Sequence, residues 1–384
     1  MLNSDVMEQV YSFRDVEEEP YTICRWLRAT KFKADAILQR LDENQDMFAR
    51  AQRHDFYPDP SRTIGAPVSV FLSQYPFLPI GSARNGCPVN YFMAGKIHPE
   101  GIMAMTTVEK LEGYFWWSFM WKMKNEMRRA KATHPDFVRM EGINIVDLKG
   151  LSSSALSSET IEVIKVSGKV ADFFPETLHC MLILNAPGFF SFSWSVIKKF
   201  IDARTAARIQ VFSSEEKGLK ALGAMIDQSE IPEDYGGTNI STSNAFAKQA
   251  SDPTLIRQQI ELVYVKRGKQ AKTRQKWTLK DNEVMTVRVY TRSVSPGCIT
   301  VFVNDESIQA IECSCKLEPD PKPNSVRVAV VKGPCVIVVE VQDLDKAGKQ
   351  QQSLSRGYFL VVGDVKMSKS KSRQTKEIEY QFKK

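Results

Sequence analysis

Apolar positions along the chain follow two different regimes, and the change falls near residue 240. Before it, helical and strand-like spacings alternate. Ile23, Trp26 and Leu27 make one apolar face of a short helix, and Ala34, Leu38, Leu41, Gln45 and Phe48 keep steps of four and three along a second. Gly86-Cys87-Pro88-Val89 opens a first strand. Thr106 or Thr107 then caps a helix with Glu109 in its first turn and Leu111, Phe115, Trp116, Phe119, Met120 and Met123 on a wide apolar face. A second strand covers residues 142–150, a helix runs through Ile161, Ile164 and Val170, and a short strand is expected at 208–212 before a helix at 219–226. Strands that alternate with helices predict an α/β unit with a mixed, mostly parallel sheet.

The stretch from 173 to 201 is the most informative. Residues 180–184 form a continuous apolar run bounded by Pro187-Gly188, the pattern of a strand buried on both faces. A helix-length aromatic segment follows directly. Phe189, Phe192, Val196 and Phe200 stand at steps of three and four, and Phe190, Trp194, Ile197 and Ile201 form an adjoining stripe. A helix apolar over so much of its circumference must bury most of itself or meet lipid. Pro187-Gly188 supplies a hinge at its base.

After residue 256 the regime is different. Residues 284–290, 298–303, 325–331, 335–341 and 358–362 are five strand candidates separated by Pro, Gly, Asn and Asp clusters, with no helical pattern between them. That predicts an all-β sandwich. Residues 239–256 are small and polar and read as a linker.

Charge sharpens this division. Of the net +7, residues 1–240 contribute −3 (27 Lys/Arg, 30 Asp/Glu) and residues 241–384 contribute +10 (25 against 15). Basic runs flank the sandwich: Lys266, Arg267, Lys269, Lys272, Arg274 and Lys276 before it, and Lys366, Lys369, Lys371, Arg373 and Lys376 after it. They suit an anionic membrane surface, or else a solvated linker and tail. No recognition helix, zinc finger or aromatic-plus-basic sheet motif points to nucleic acid. No apolar run approaches the ~18 residues of a membrane span, and the first residues carry no secretion signal. Seven cysteines in no framework spacing are read as reduced, and Cys313-Ser314-Cys315 lacks a nearby His for zinc. There is no nucleophile elbow, phosphate loop or dinucleotide fingerprint, so no enzyme is expected. His179 and Cys180 point to opposite faces of an incoming strand, which makes His179 a core or rim residue. Ser152-Ser153-Ser154 is a helix-capping turn or a set of hydroxyls for a phosphate.

Several spaced motifs together resemble the CRAL-TRIO family, lipid-exchange proteins that include phosphatidylinositol-transfer, tocopherol-binding and retinaldehyde-binding members. They are Leu27-Arg28-Ala29-Thr30-Lys31-Phe32, Gly86-Cys87-Pro88-Val89, Val146-Asp147-Leu148-Lys149-Gly150, Phe174-Pro175-Glu176 with Asn185-Ala186-Pro187, and Ile231-Pro232-Glu233-Asp234-Tyr235-Gly236-Gly237. The resemblance covers about residues 20–238. It implies an N-terminal helical module (1–60), a lipid-binding domain (61–238) and a gate helix formed by Phe189, Phe192, Trp194, Val196, Ile197, Phe200 and Ile201. It also implies a headgroup site at Lys31, Glu176, Thr205 and Arg208. Cations and a hydroxyl there suit a phosphodiester, and the carboxylate suits an inositol ring. Two departures weaken the match: Thr30 replaces a cation, and Arg208 replaces a Lys. Ion pairing among Lys31, Glu176 and Arg208 is the competing reading. Phosphatidylinositol is the expected ligand, with phosphatidylcholine, tocopherol-like and retinoid-like molecules open. A sandwich at 257–365 after such a unit resembles the GOLD domain, with a basic tail at 366–384. The expectation is a non-catalytic, cytoplasmic, peripherally membrane-associated protein that carries a lipid and no other cofactor or metal. The alternative is an adaptor in membrane traffic whose sandwich binds a protein partner.

Overall fold

The computed structural model describes residues 4–51, 60–152, 157–201, 203–249, 252–266, 272–292, 297–313, 323–343 and 356–368. The chain forms two compact units, one of residues 1–99 and 108–250, the other of residues 100–107 and 251–384.

The first unit begins with four helices, α1 (Ser4–Val10), α2 (Glu19–Ala29), α3 (Ala34–Glu43) and α4 (Gln45–Ala51), followed by α5 (Pro60–Ile64) and α6 (Val68–Gln74). The single second helix expected from the apolar spacing is two, broken at Asn44, whose side chain donates back to the Arg40 carbonyl at 2.8 Å. In α2 the buried face is Thr22, Arg25 and Trp26, and Ile23 is 39% exposed. An ion pair overrides the expected apolar face. Arg25 donates to both carboxylate oxygens of Glu17, with Nη2 to Oε2 at 3.0 Å, and Nη1 donates to the Pro175 carbonyl at 3.1 Å. Thr22 adds a 2.9 Å hydrogen bond to Glu17, so every charge taken from water is met.

The sheet follows the order β1 (Phe77–Ser82), β2 (Pro88–Phe92), β3 (Gly142–Asp147), β4 (Leu178–Leu184), β5 (Ile209–Val211). The hairpin β1–β2 is antiparallel, and β2 through β5 run parallel. The helix α7 (Pro99–Met105) lies in the connection after β2. Beyond it, α8 (Val108–Trp117), a π-helical turn (Ser118–Met123) and α9 (Lys124–Thr133) follow without a gap. Ser157 caps α10 (Ser158–Phe173) by accepting from the Thr160 N–H, and Ser214 caps α13 (Glu215–Met225) in the same way from Lys217. Between β4 and α13 lie α11 (Phe190–Ile197) and α12 (Ala203–Ala207). The expected linker contains a helix, α14 (Thr242–Gln249), started by Asp234, which accepts from the Thr242 hydroxyl at 2.7 Å. Gly237 is fixed sterically, because a Cβ there would sit 1.9 Å from the Ile231 carbonyl oxygen.

Among the described residues, the second unit holds eight strands in two antiparallel sheets. They are β6 (Arg257–Lys266), β7 (Lys272–Leu279), β8 (Glu283–Arg292), β9 (Gly297–Val303), β10 (Glu306–Cys313), β11 (Pro323–Lys332), β12 (Cys335–Asp343) and β13 (Arg356–Met367). The sheet orders are β10-β9-β12-β7 and β11-β8-β13-β6. Trp277, Ile299, Val301, Ile337 and Val339 from one sheet share a core with Met285, Val287, Val289, Phe359 and Val361 from the other. This is the expected sandwich, with three strands more than the spacing showed. The first basic run therefore does not precede the sandwich. Lys266 ends β6, Lys272, Arg274 and Lys276 lie in β7, and Arg274 pairs with Glu340 at 2.8 Å. Lys366 is likewise part of β13, opposite Val284; the tail from 369 onward lies outside the described residues.

Replacing Arg25 by Met leaves the Glu17 carboxylate buried without its counter-ion. The expected loss is about 3–5 kcal/mol in urea unfolding, with much of it recovered when Glu17→Leu is added. Equal destabilisation by the single and double variants would contradict the pairing argument.

Candidate functional site

The pleat divides the five-stranded sheet into two unlike faces. On one, Leu78, Val89, Tyr91, Ile143, Ile145, Cys180 and Leu182 are all buried. The α13 helix covers part of this face, where Leu184 packs against Gly218 and the Cys180 thiol lies 3.6 Å from the Met225 sulfur. Tyr235 stacks on Tyr91 at 5.1 Å and donates to Asp147 at 2.9 Å. The opposite face carries Phe77, Pro79, Phe92, Asn144, Val146, Met181 and Ile209, all only partly buried. The register aligns Phe92, Val146 and Ile183, and Met181 with Ile209, into apolar rows. An apolar sheet face left half-covered is a trough.

The cover over its β3–β5 part is α11. Phe190, Trp194 and Ile197 pack with Phe92, Val146, Met181, Ile183 and Ile209, and Phe190 stacks on Trp194 at 6.3 Å. This is the second of the two aromatic stripes, and Ile201, its last member, is partly buried. The first stripe faces outward: Phe189 is 37% and Phe192 73% exposed, and Val196 is partly exposed. Phe200 lies in a short 3₁₀ turn that continues α11. At the helix base, Asn185 adopts φ 54° and donates to Asp147 at 2.8 Å, which fixes the end of β4 before Pro187-Gly188.

Of the four residues expected at a headgroup site, the structure joins two. The Arg208 guanidinium pairs with Glu176 and donates to the Leu178 carbonyl at 2.6 Å, and Arg204 adds a second cation 3.6 Å from Glu176. Arg204 also donates to the Arg28 carbonyl, which brings the end of α2 to this cluster. Thr205 lies on α12 one turn before Arg208, its carbonyl accepting from the Arg208 N–H at 3.0 Å. Lys31 is exposed and makes no ion pair among the described residues. Lys31 and Glu176 both hold left-handed backbone, φ 52° and 59°, unusual for side chains without a local hydrogen-bonding group and typical of binding sites. Sequence reasoning missed Arg204, although it stands four residues before Arg208.

A second polar group lies where the helical wall meets the β1–β2 hairpin. Lys122, from the π turn, places Nζ 4.7 Å from the Phe77 ring centre, and that nitrogen is buried without a hydrogen-bond partner. Glu126, one turn on, and Asn90, on the trough side of β2, each keep a buried oxygen unpartnered. Burial pushes the Lys122 ammonium below its ordinary value against the pull of Glu126. It pushes Glu126 up despite Lys122, Arg129 and a hydrogen bond from Asn90. Lys122, Glu126 and Arg129 border a cavity of about 780 Å³ that is also lined by Pro79, Trp117, Trp121 and Lys248. Nothing in the chain's motifs singled out Lys122; the available signal was one lysine inside the apolar run Phe119-Met120-Trp121-Lys122-Met123.

Cys87, Glu141 and His179 bring ligand-type atoms within 4.8 Å of one another. Their polar atoms already have partners. His179 meets Glu141 at 2.9 Å through Nδ1 and Asn85 at 3.2 Å through Nε2, and Arg139 stands 3.6 Å from Glu141. The Cys87 thiol is pushed up to about 12, chiefly by burial and then by the nearby Glu141 charge. The arrangement is a rim histidine held by a carboxylate. Ser153 and Ser154 lie outside the described residues, as does Cys315.

Part of the chain is similar to known proteins. Residues 72–237 match the family described as the CRAL/TRIO domain. A phosphatidylinositol/phosphatidylcholine transfer protein of Arabidopsis thaliana, SFH14, is 32% identical over 159 residues, 41% of this chain and 27% of that protein. The SEC14 cytosolic factor of Yarrowia lipolytica is 25% identical over 226 residues, 57% of this chain and 44% of that protein. Among solved structures, that of Sfh5 covers 63% of this chain at 18% identity with a TM-score of 0.43. The chain thus spans well under half of these curated relatives. No described helix is long and apolar enough to cross a membrane.

A thiol at about 12 is ionised to roughly one part in ten thousand at pH 8. Iodoacetamide should therefore alkylate exposed Cys24 in the native protein and leave Cys87 untouched until urea unfolds it. Rapid native labelling of Cys87, or stoichiometric zinc in elemental analysis, would contradict the assignment.

Proposed function

We propose that this chain holds one phospholipid between the trough face of its sheet and α11, and exchanges it with membranes without catalysing a reaction. The observation that carries the reading is the double-sided character of α11. Its inner stripe supplies the cover an apolar sheet face needs, and its outer stripe leaves aromatic side chains in water. Neither stripe pays back fully in water alone, whereas a helix swung out on the 187–188 hinge would place apolar surface in a bilayer and leave acyl chains in its stead. The CRAL/TRIO match and the transfer activity named for SFH14 support the same reading. Phosphatidylinositol is the ligand that these residues suit best, since the cations of Arg204, Arg208 and exposed Lys31 suit the phosphodiester and the Glu176 carboxylate can accept from ring hydroxyls. The basic second unit, with a GOLD-like sandwich, is the part suited to an anionic cytosolic membrane surface.

Two variants of α11 test the exchange. Trp194→Asp puts a charge on the packed stripe, and Phe192→Asp puts one on the exposed stripe. Both should slow fluorescent-lipid transfer between vesicles by about tenfold or more, the rate equivalent of ~1.4 kcal/mol. Only Trp194→Asp should also lower the melting temperature. Undiminished transfer by Phe192→Asp would remove the outer stripe from the mechanism. A wild-type chain that moves no lipid would return the function to the sandwich as a protein-binding module.

Ligand class is tested by Lys31→Ala combined with Arg208→Ala. Lipid extracted from this variant after equilibration with mixed vesicles should be depleted in phosphatidylinositol relative to phosphatidylcholine. An unchanged ratio would make the cluster a structural ion pair.

A further inference from the structure

We infer that Lys122, Glu126 and Asn90 form a phosphoryl-binding site inside the first unit, between the π turn and the β1–β2 hairpin. The inference rests on the lipid-carrying reading only for the identity of the molecule that bears the phosphoryl group.

The polar groups of the unit sort into two kinds. At the Glu176 cluster the charges are already matched: Arg208 and Arg204 meet the carboxylate, and their other donors reach main-chain carbonyls. At the Lys122 cluster they are not. The Lys122 nitrogen, one Glu126 oxygen and the Asn90 amide oxygen all lack hydrogen-bond partners, and the Lys122 nitrogen lies 4.7 Å from the Phe77 ring centre. Such atoms are costly in an apolar setting, and their retention calls for a ligand that completes them.

The fold keeps an irregular element at this place. The helical wall leaves regular α geometry at Ser118–Met123, the turn that contributes Lys122 and Trp121. π turns cost hydrogen-bond geometry and occur mostly where a side chain must be aimed. Lys122 is aimed between Phe77, on the trough face, and the 780 Å³ cavity. Phe77 stands 6.2 Å from Phe92, which itself packs under α11, so the cluster continues the covered trough toward β1.

The chemistry selects the ligand. Lys122, Arg129 and Lys248 line the cavity against one carboxylate, so the site favours an anion. The ammonium offers donors to two non-bridging phosphoryl oxygens. Glu126 donates to a phosphoryl oxygen when protonated and accepts from a headgroup donor when ionised, and burial shifts it toward the protonated form. Trp117 and Trp121 supply apolar wall for the remainder of the molecule. A ligand that brings no acceptor to Lys122 leaves it as it stands, unpartnered.

The test uses the full chain and Lys122→Met, which keeps an unbranched stem and removes the charge; Lys122→Arg is the charge-retaining control. Each is equilibrated with vesicles containing equal amounts of dioleoylphosphatidylcholine and dioleoylglycerol, re-isolated, and its lipid quantified. Wild type should carry phospholipid in preference to diacylglycerol. Lys122→Met should lose that preference by about tenfold, and Lys122→Arg should keep most of it. Lipid-free Lys122→Met should melt at or above the wild-type temperature, because an unpartnered buried charge has gone. An unchanged lipid ratio overturns the inference, and so does a lower melting temperature, which would make Lys122 a structural partner of Glu126. If wild type takes up neither lipid, the carrier reading fails by itself. Calorimetric titration with inorganic phosphate then decides the site: heat seen with wild type and absent with Lys122→Met upholds it, and no heat with wild type overturns it.

Discussion

A sheet whose second face is as apolar as its first cannot leave that face to water. In this chain the first face is sealed by α13 and by Tyr235, and the second is closed mainly by one short aromatic helix on a Pro-Gly base. The proposed lipid trough follows from that asymmetry. Five residues, Phe92, Val146, Met181, Ile209 and Trp194, are packed but not fully buried, so the cover gains less from closing than a core helix would. A cover that gains little can be traded for acyl chains at modest cost, provided its outer face finds apolar surroundings when it moves. Phe189 and Phe192 already present that face.

The charged groups are arranged around this trough in a consistent way. Arg25 and Glu17 tie the helical module to the Pro175 carbonyl, and Glu176 in the same turn is held by two arginines. The turn is thereby anchored from both sides, which accounts for its left-handed Glu176. The Lys122 group, by contrast, is incomplete.

Much of this was legible from residues alone. The sheet of the first unit and the aromatic cover followed from alternating periods and from Phe174-Pro175-Glu176 and Asn185-Ala186-Pro187, because apolar spacing and turn chemistry are local. What failed was non-local. Ile23 was expected inside, but the partner that buries Arg25 in its place sits eight residues away, in a segment with no period. Strand β7 was hidden because Arg274 and Lys276 are exposed and only Trp277 and Leu279 show its buried side; β6 was diluted likewise by Gln258, Gln259 and Glu261. Thr242–Gln249 is a helix despite its small polar residues, since Asp234 starts it from outside the segment. At the candidate site, the family resemblance pointed to Glu176 and Arg208, whereas nothing pointed to Lys122, because what distinguishes it is the lack of a partner in three dimensions.

The central claim is that the trough is a container with one movable wall. Native mass spectrometry of the full chain, purified without detergent from cells, tests it most directly. The account predicts a population heavier than the bare chain by one phospholipid, released together with loss of protection from hydrogen exchange in α11. A chain found at its bare mass, with α11 as protected as α10 whether or not phospholipid vesicles are present, would contradict it.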